Sequence, residues 1–333
     1  MNRSRLQSLL TAAAKLRVAV VGDAMLDVYL IGDVERISPE APVPVARVRE
    51  RKDALGGAAN VAENVAALGA RVELVAVVGD DLGGARLTEL LAAKGGEVRG
   101  LVKTTRPTTT KTRVLARAQQ LLRVDEEVDS DCTGDDVKAL MAAVDRAVAD
   151  ADALILEDYN KGVLVPAIIE HAIKAANDKR IPVVVDPKYR NFFAYRGATI
   201  FKPNRRELEA ALGAAVDLDH PDALPSVLKR LGVQHLLLTL SEKGMALVQT
   251  DDGRGAMDDV HVDRIPTTAR EVYDVVGAGD TVTAYLAAML AAGANPLEAA
   301  TIANYAAGVE VAKLGAVTVS PSEVLEAFNH HQG

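Results

Sequence analysis

Short apolar runs alternate with segments of helical periodicity along most of the chain. The runs are apolar on both faces, at residues 18–22, 72–78, 153–156, 182–185, 199–201, 235–240 and 245–249. Helical periodicity marks residues 6–16, 56–69, 81–93, 135–149, 166–177, 205–212, 223–231, 280–292 and 296–313. Strands that are buried on both faces are typical of a parallel sheet between helices. The pattern therefore predicts an α/β fold with a mainly parallel central sheet.

Two segments interrupt the alternation of predicted strands and helices. Residues 31–49 are rich in proline and valine and contain S-P-E-A-P-V-P-V, which cannot be helical. Residues 104–125 have no helical period and read as a hairpin that turns near residues 117–120. We expect one domain, residues 1–333, with a small β-lid formed by insertions at about 28–49 and 103–124. Such apolar strands are poorly suited to isolation at a surface, so a homodimer through the lid is also predicted.

Composition narrows the class of protein. The chain has 333 residues, 49% of them hydrophobic, and a net charge of −8, which argues against general binding to nucleic acid or to membrane surfaces. Cys132 is the single cysteine, which excludes an internal disulfide and a cysteine-based metal cluster. There is no apolar run of about 18 residues and no signal-peptide core at the N-terminus. A cytoplasmic protein is expected.

The sequence D-V-V-G-A-G-D-T at 274–281 is the strongest chemical signal. Gly277, Ala278 and Gly279 predict a tight turn that opens a helix, with Asp280 in its first turn. A helix N-terminus offers free N–H groups and partial positive charge to an anion. A carboxylate beside such an anion site suits removal of a proton from an attacking nucleophile, as in phosphoryl transfer. From this stretch alone, a simple helix cap remains an equal alternative.

The chain has no P-loop, no G-x-G-x-x-G after its first strand, no H-E-x-x-H and no G-x-S-x-G. Instead, Gly56-Gly57-x-x-Asn60 and the later D-V-V-G-A-G-D-T resemble the two signatures of the ribokinase-like (PfkB) carbohydrate kinases. Val275 departs from the threonine usual in the second signature, but Gly277, Gly279 and Asp280 match it. The resemblance extends over essentially the whole chain and implies a three-layer α/β/α fold that uses ATP and Mg²⁺.

Four further segments resemble the heptose 7-phosphate kinases of that family, at residues 22–29, 37–45, 157–162 and 185–188. This resemblance implies ATP-dependent phosphorylation of D-glycero-D-manno-heptose 7-phosphate at its C1 hydroxyl. The product would be the 1,7-bisphosphate on the route to ADP-heptose and lipopolysaccharide core. An H-x-G-H motif is absent, so the chain resembles the stand-alone kinase. Another sugar kinase, of the ribokinase or fructokinase kind, and a non-catalytic sugar-phosphate sensor are the alternatives.

The sugar site is predicted beyond the first strand and at the first glycine motif. Asp23 and Asp27 follow a strand end, where open parallel sheets bind ligands. The resemblance assigns Asp27 to the sugar, whereas Asp23 fits a turn residue equally well. Gly56, Gly57 and Asn60 are expected to bring main chain and one amide onto the sugar.

Lys111, Arg113 and Arg117 are the candidates for the 7-phosphate. Lys111 and Arg113 should share one strand face, and arginine can bind phosphate through two hydrogen bonds. The alternative is that they are solvated charges protecting a sheet edge. Gln119 and Gln120, near the turn, are weaker candidates for the sugar hydroxyls.

The remaining candidates follow other strand ends. Glu157 and Lys161 are assigned to the substrate, and Asp186 and Lys188 to ATP. The resemblance further implies that ATP is lined by Asn204, Glu207, Thr239, Ser241, Gly244, Gly277, Gly279 and Asn304.

Magnesium is expected to be held mainly by the nucleotide. No cluster of Asp, Glu and His is evident in the sequence, and Mg²⁺ keeps several of its waters in proteins. By resemblance, Asn204 and Glu207 contact the ion through water. The same two residues also fit a capping box, and both functions are compatible.

Overall fold

The computed structural model describes residues 1–116, 119–220, 223–250, 260–269, 271–313, 315 and 317–332. Its helices are α1 (Arg3–Ala13), α2 (Ala58–Ala67), α3 (Leu82–Ala93), α4 (Gly134–Asp150), α5 (Pro166–Lys179), α6 (Arg205–Leu212), α7 (Leu224–Leu231), α8 (Ala278–Ala291), α9 (Pro296–Glu310) and α10 (Pro321–Gln332). Its strands are β1 (Arg17–Gly22), β2 (Ala24–Ile37), β3 (Pro44–Gly57), β4 (Arg71–Gly79), β5 (Gly96–Glu97), β6 (Leu101–Thr104), β7 (Thr110–Ala116), β8 (Gln119–Glu126), β9 (Ala153–Glu157), β10 (Val183–Asp186), β11 (Ile200–Phe201), β12 (His235–Thr239), β13 (Met245–Thr250) and β14 (Val260–Ile265).

The central sheet has the order β14-β13-β12-β11-β10-β9-β1-β4-β5, and β6 also pairs with β4. The strands from β4 to β12 along this order are parallel, and β13 and β14 are antiparallel. Alternate residues of β1 face opposite layers: Val18 and Val20 pack with α1, α2, α8 and α9, while Ala19 and Val21 pack with α4 and α5. The predicted α/β fold with a mainly parallel sheet between helical layers is confirmed.

A second sheet stands beside the first, with the order β3-β2-β7-β8. Strand β2 pairs antiparallel with β3 and parallel with β7, and β7 pairs antiparallel with β8. We call this sheet the lid. Its first hairpin extends beyond the predicted limits of 28 and 49, whereas residues 101–104 belong to the central sheet as β6. The hairpin is longer than predicted because the chain leaves the central sheet directly after Gly22, at the end of β1. It returns through β3 to the start of α2.

The predicted helix start at Gly56 was wrong by two residues. Gly56 and Gly57 are the last residues of β3, and α2 begins at Ala58. A Cβ on Gly57 would lie 2.4 Å from the Asp23 carbonyl oxygen, and Gly57 has a φ of 56°. These glycines therefore allow β3 to pass close to the start of β2.

The sequence prediction omitted β5, β6, β14 and α10. Strand β14 reads V-H-V-D-R-I, which alternates with the period of a strand. Helix α10 follows Ser320. The Ser320 hydroxyl accepts the Glu323 N–H at 3.4 Å, and the Glu323 carboxylate accepts the Ser320 N–H at 2.8 Å. Both elements therefore carried a readable signal. Among the described residues, no helix combines the length and apolar character needed to cross a membrane.

Candidate active site

Asp280 lies in the first turn of α8, as predicted. Gly277 is the N-cap residue, with a φ of 92° that favours glycine, and the Thr281 N–H donates to its carbonyl at 2.9 Å. The first N–H groups of a helix have no partner within it, so this turn presents donors and positive partial charge. A Cβ on Gly279 would lie 3.8 Å from Lys202 Nζ, which places a buried ammonium beside the same turn. The arrangement suits an anion.

The Asp280 carboxylate is buried and held by two donors. Asn60 Nδ2 donates to Oδ2 at 2.6 Å, and the Tyr159 hydroxyl donates to Oδ1 at 2.9 Å. Burial raises the pKa of Asp280 to about 6, although both hydrogen bonds stabilise the ionised form. A carboxylate with this pKa is mostly ionised at neutral pH and is more basic than an exposed aspartate.

Three buried carboxylates meet at this point. One ligand oxygen from each of Glu157, Asp186 and Asp280 lies within 4.8 Å of the others. Lys202 Nζ lies 2.8 Å from Asp186 Oδ2, and neither oxygen of Glu157 has a hydrogen-bond partner among the described residues. Burial and the charges of Asp186 and Asp280 raise the pKa of Glu157 well above its ordinary value. The premise that this chain has no acidic cluster was wrong, because the three residues come from distant parts of the sequence.

A cavity of about 220 Å³ opens above Asp280, between the lid and the central sheet. The predicted residues Asp27, Gly56, Gly57, Asn60, Lys111, Arg113, Gly277 and Asp280 line it, together with Met25, Leu55, Arg123, Tyr159 and Val276. Three basic side chains of the lid thus face the carboxylate that lies at the start of α8.

Two basic side chains that line the cavity, Lys111 and Arg113, are paired with carboxylates. Arg113 Nη1 donates to Asp27 Oδ1 at 2.7 Å, and Lys111 Nζ donates to Asp125 and Glu127 at 3.1 and 3.0 Å. Strand register places Lys111 and Arg113 on one face, as predicted. The predicted phosphate ligand Arg117 lies outside the described residues. Gln119 is exposed at the start of β8 and does not line the cavity, and the same holds for Gln120.

Asp23 is placed differently from the sugar-binding prediction. Its carboxylate is buried and accepts N–H bonds from Tyr159, Lys161 and Val163 at 2.8, 2.9 and 3.0 Å. It lies outside the cavity lining and holds the loop that carries Tyr159. Lys161 is likewise turned away, since its Nζ donates to Glu127 at 2.7 Å.

Three of the predicted nucleotide residues line a second groove of about 570 Å³, beyond the ends of β11 and β12. Asn204, Thr239 and Ser241 line it, and Gly244 follows directly after the short helical turn at Ser241–Lys243. Asn304 is buried, and its amide donates to the Pro266 carbonyl at 2.8 Å. The groove lies at the carboxyl edge of the parallel sheet, where α/β folds bind ligands.

The predicted capping box is present at the start of α6. The Asn204 and Glu207 side chains each accept the other's main-chain N–H, at 2.9 and 2.8 Å. Lys188 Nζ lies 3.1 Å from Glu207 and 3.8 Å from Asp186, so it links this box to the acidic cluster. Contact of Asn204 and Glu207 with magnesium through water stays a prediction.

Sequence reasoning missed Tyr159, Lys202 and Arg123. Tyr159 follows β9 and Lys202 follows β11, so the strand-end rule that selected Glu157 and Asp186 applied to both. Arg123 lies directly opposite Arg113 in the lid. Because Arg123 is not adjacent to the turn predicted near residues 117–120, no feature of the sequence distinguished it as a site residue.

Comparison with known proteins identifies the family. Residues 15–323 match the pfkB family carbohydrate kinase model. The chain is 48% identical over 327 residues to the Bifunctional protein HldE of Shewanella amazonensis, covering 97% of this chain and 66% of that protein. It is 45% identical over 338 residues to the Bifunctional protein HldE of Pelobacter propionicus, covering 98% and 66%. The chain thus spans about two-thirds of the length of these relatives.

Solved structures of low identity share the fold. Phosphofructokinase-2 from Escherichia coli in complex with potassium matches with a TM-score of 0.77 at 19% identity, covering 96% of this chain and 100% of that chain. Arabidopsis thaliana ribokinase complexed with ribose and ATP matches with a TM-score of 0.70 at 22% identity, covering 94% and 98%. The expected ribokinase-like fold and the resemblance to PfkB kinases are confirmed. The chain therefore belongs to the pfkB family of carbohydrate kinases.

Proposed function

We propose that the substrate is D-glycero-D-manno-heptose 7-phosphate, phosphorylated at its C1 hydroxyl to give the 1,7-bisphosphate for ADP-heptose and lipopolysaccharide core synthesis. The observation that carries this proposal is the cavity that joins Asp280 to three lid cations, Lys111, Arg113 and Arg123. A sugar that already bears a phosphate needs such charges at the end remote from the reacting hydroxyl. Similarity to HldE proteins over almost the whole chain supports the same substrate class.

In this proposal, Asp280 accepts the proton of the attacking hydroxyl. The donors Asn60 and Tyr159 fix both carboxylate oxygens, so the base is held in one orientation before substrate arrives. The N–H groups at the start of α8 and the nearby ammonium of Lys202 stabilise charge on the transferred phosphoryl group. Asp27 accepts hydrogen bonds from sugar hydroxyls. Closure of the lid over the cavity excludes water, which would compete with the sugar as acceptor.

The acidic cluster fits Mg²⁺. Its ligand atoms are carboxylate oxygens, which Mg²⁺ prefers, and the two buried oxygens of Glu157 have no partner among the described residues. We propose that Glu157 and Asp186 hold the ion, with Asn204 and Glu207 acting through water. When bound, Mg²⁺ supplies positive charge that neutralises the phosphates of ATP.

A homodimer through the lid is also proposed. Leu122 and Val124 alternate with the cavity-facing Arg123 and therefore lie on the outer face of the lid. Their relative exposures are 57% and 44%, which is costly for neighbouring apolar side chains in water. A second copy of this sheet is a surface of matching apolar character.

One observation favours a kinase for a sugar without a phosphate. Asp27, Asp125 and Glu127 already neutralise Arg113 and Lys111 within the protein. An assay of ADP formation with heptose 7-phosphate, heptose, ribose and fructose distinguishes a heptose 7-phosphate kinase from a kinase for an unphosphorylated sugar. We expect kcat/KM to be highest for heptose 7-phosphate. Equal turnover of an unphosphorylated sugar would establish the alternative, and ATP-independent binding without turnover would indicate a sensor.

A further inference from the structure

Behind Asn60 lies a buried row of polar side chains that the proposed chemistry does not use. Asn64 follows Asn60 by one turn of α2, and Thr281 follows Asp280 on α8. Their exposures are 1% and 0%, so water does not satisfy their polar atoms. Polar groups this deep in a core are retained when they are hydrogen-bonded, and each partner here leads towards Asp280.

The hydrogen bonds run in one consistent direction. Thr281 Oγ1 donates to Asn64 Oδ1 at 3.0 Å. Asn64 Nδ2 donates to the Asn60 main-chain carbonyl at 3.0 Å and lies 3.4 Å from Asn60 Oδ1, a weaker contact. Asn60 Nδ2 then donates to Asp280 Oδ2 at 2.6 Å. The chain therefore begins at the residue after the base and returns to the base through two amides.

The direction matters because an amide has two unlike ends. If the Asn60 amide were reversed, its oxygen would face the Asp280 carboxylate, and two acceptors would repel each other. The Asn64 amide is oriented at both ends, because its oxygen accepts from the Thr281 hydroxyl and its nitrogen donates to the Asn60 main-chain carbonyl. This orientation places Asn64 Nδ2 towards Asn60 Oδ1. Removing that hydroxyl leaves a buried amide oxygen without its donor, so the preference for one orientation weakens.

We propose that Thr281 and Asn64 are positioning residues for the sugar kinase reaction, because they orient the Asn60 amide so that it donates to Asp280. This inference rests on the proposed function of Asp280 as the base. Neither Thr281 nor Asn64 lines the cavity. Their hydrogen bonds reach Asp280 through Asn60.

Other charged groups also face Asp280. Glu157 and Tyr159 come from the end of β9, Asp186 and Lys202 from the ends of β10 and β11. Glu310 at the end of α9 faces the same turn; burial raises its pKa to about 8, while hydrogen bonding with Thr281 lowers it. Neither oxygen of Glu310 makes a hydrogen bond of normal geometry with a described residue, so the well-formed chain begins at Thr281. The substitutions below replace none of these groups, although Thr281→Val also removes the hydroxyl that faces Glu310.

The test is a comparison of Thr281→Val with Thr281→Ser. Valine keeps the shape of threonine and lacks the hydroxyl, whereas serine restores it. For Thr281→Val we expect kcat to fall roughly 3- to 10-fold, the equivalent of one neutral hydrogen bond, with little change in KM for ATP. Thr281→Ser should restore kcat.

Thr283→Val is the matched control. Thr283 is buried on the same helix, and its hydroxyl donates at 3.0 Å to the Gly279 carbonyl, outside the chain to Asn60. It measures the general cost of removing a hydroxyl from α8, and its loss of kcat should be smaller than that of Thr281→Val. If Thr281→Val does not fold, Thr281→Cys replaces it, since a thiol is only a weak donor.

A wild-type kcat in a folded Thr281→Val protein would overturn the inference, as would an equal loss of kcat in Thr283→Val. Asp280→Asn separates this outcome from failure of the proposed base. If Asp280→Asn retains turnover, the proposed function falls. If Asp280→Asn is inactive and Thr281→Val is normal, only the positioning chain falls.

Discussion

Replacing Asp280 by asparagine is the most direct perturbation of the proposed base. The side chain keeps its size, and both hydrogen bonds have a replacement: the new amide oxygen can accept from Asn60, and the new amide nitrogen can donate to the Tyr159 oxygen. The cavity should therefore keep its shape and continue to bind sugar and ATP. What disappears is the ability to accept a proton.

The expected loss in kcat is roughly 10²- to 10⁴-fold, the usual range for a general base. Stability should change in the opposite direction. The pKa of Asp280 is about 6 in the folded protein and 3.8 for an unperturbed aspartate, which corresponds to about 3 kcal/mol. Because the folded pKa is raised, the contribution of Asp280 to stability is fully present below about pH 4 and is lost as pH rises through about 6. Asp280→Asn should thus be more stable than wild type at pH 7, by up to about 3 kcal/mol, and not at pH 4.

Two measurements check these expectations. A coupled assay of ADP formation gives kcat and both KM values, and thermal unfolding at pH 7 and pH 4 gives the difference in stability. Asn295→Asp, at the exposed N-cap of α9, is a control for an Asn/Asp exchange remote from the site. Near-normal turnover by Asp280→Asn would refute its function as base. A loss of activity together with a lower Tm at pH 7 would show that the substitution acts through folding.

Three further predictions concern the substrate, the metal and the assembly. Arg113→Ala, and likewise Arg117→Ala, should raise KM for heptose 7-phosphate about tenfold or more while leaving KM for ATP nearly unchanged; the reverse pattern would mean that the basic strand serves the nucleotide. Glu157→Gln should raise the Mg²⁺ concentration required for half-maximal activity by roughly 10- to 100-fold, and an unchanged requirement would exclude Glu157 from the metal site. Sedimentation should show a dimer for wild type and a monomer for Leu122→Asp, and a wild-type monomer would end the dimer proposal.

The sequence alone determined the class of fold and the position of Asp280 at the start of a helix. Buried strands and amphipathic helices have different periods, and these periods are local properties of the chain. Gly277, Gly279 and Asp280 are close together in sequence, so their turn and carboxylate form one local unit at the start of α8. The capping box of Asn204 and Glu207 is local in the same sense. Such features require only nearest neighbours along the chain, and the prediction placed them correctly.

Tertiary structure decided which side chains meet. Glu157, Asp186 and Asp280 form one cluster because β9 and β10 end, and α8 begins, at the same edge of the sheet, and no spacing in the sequence reveals this. Asp23 followed the same strand-end rule, yet its carboxylate is used by three main-chain N–H groups of a loop about 140 residues away. Lys111 has the charge for a phosphate but faces Asp125 and Glu127 across the lid. The sequence gives the type and charge of each residue. The hydrogen-bond or ion-pair partner of each side chain is decided only when distant segments pack together.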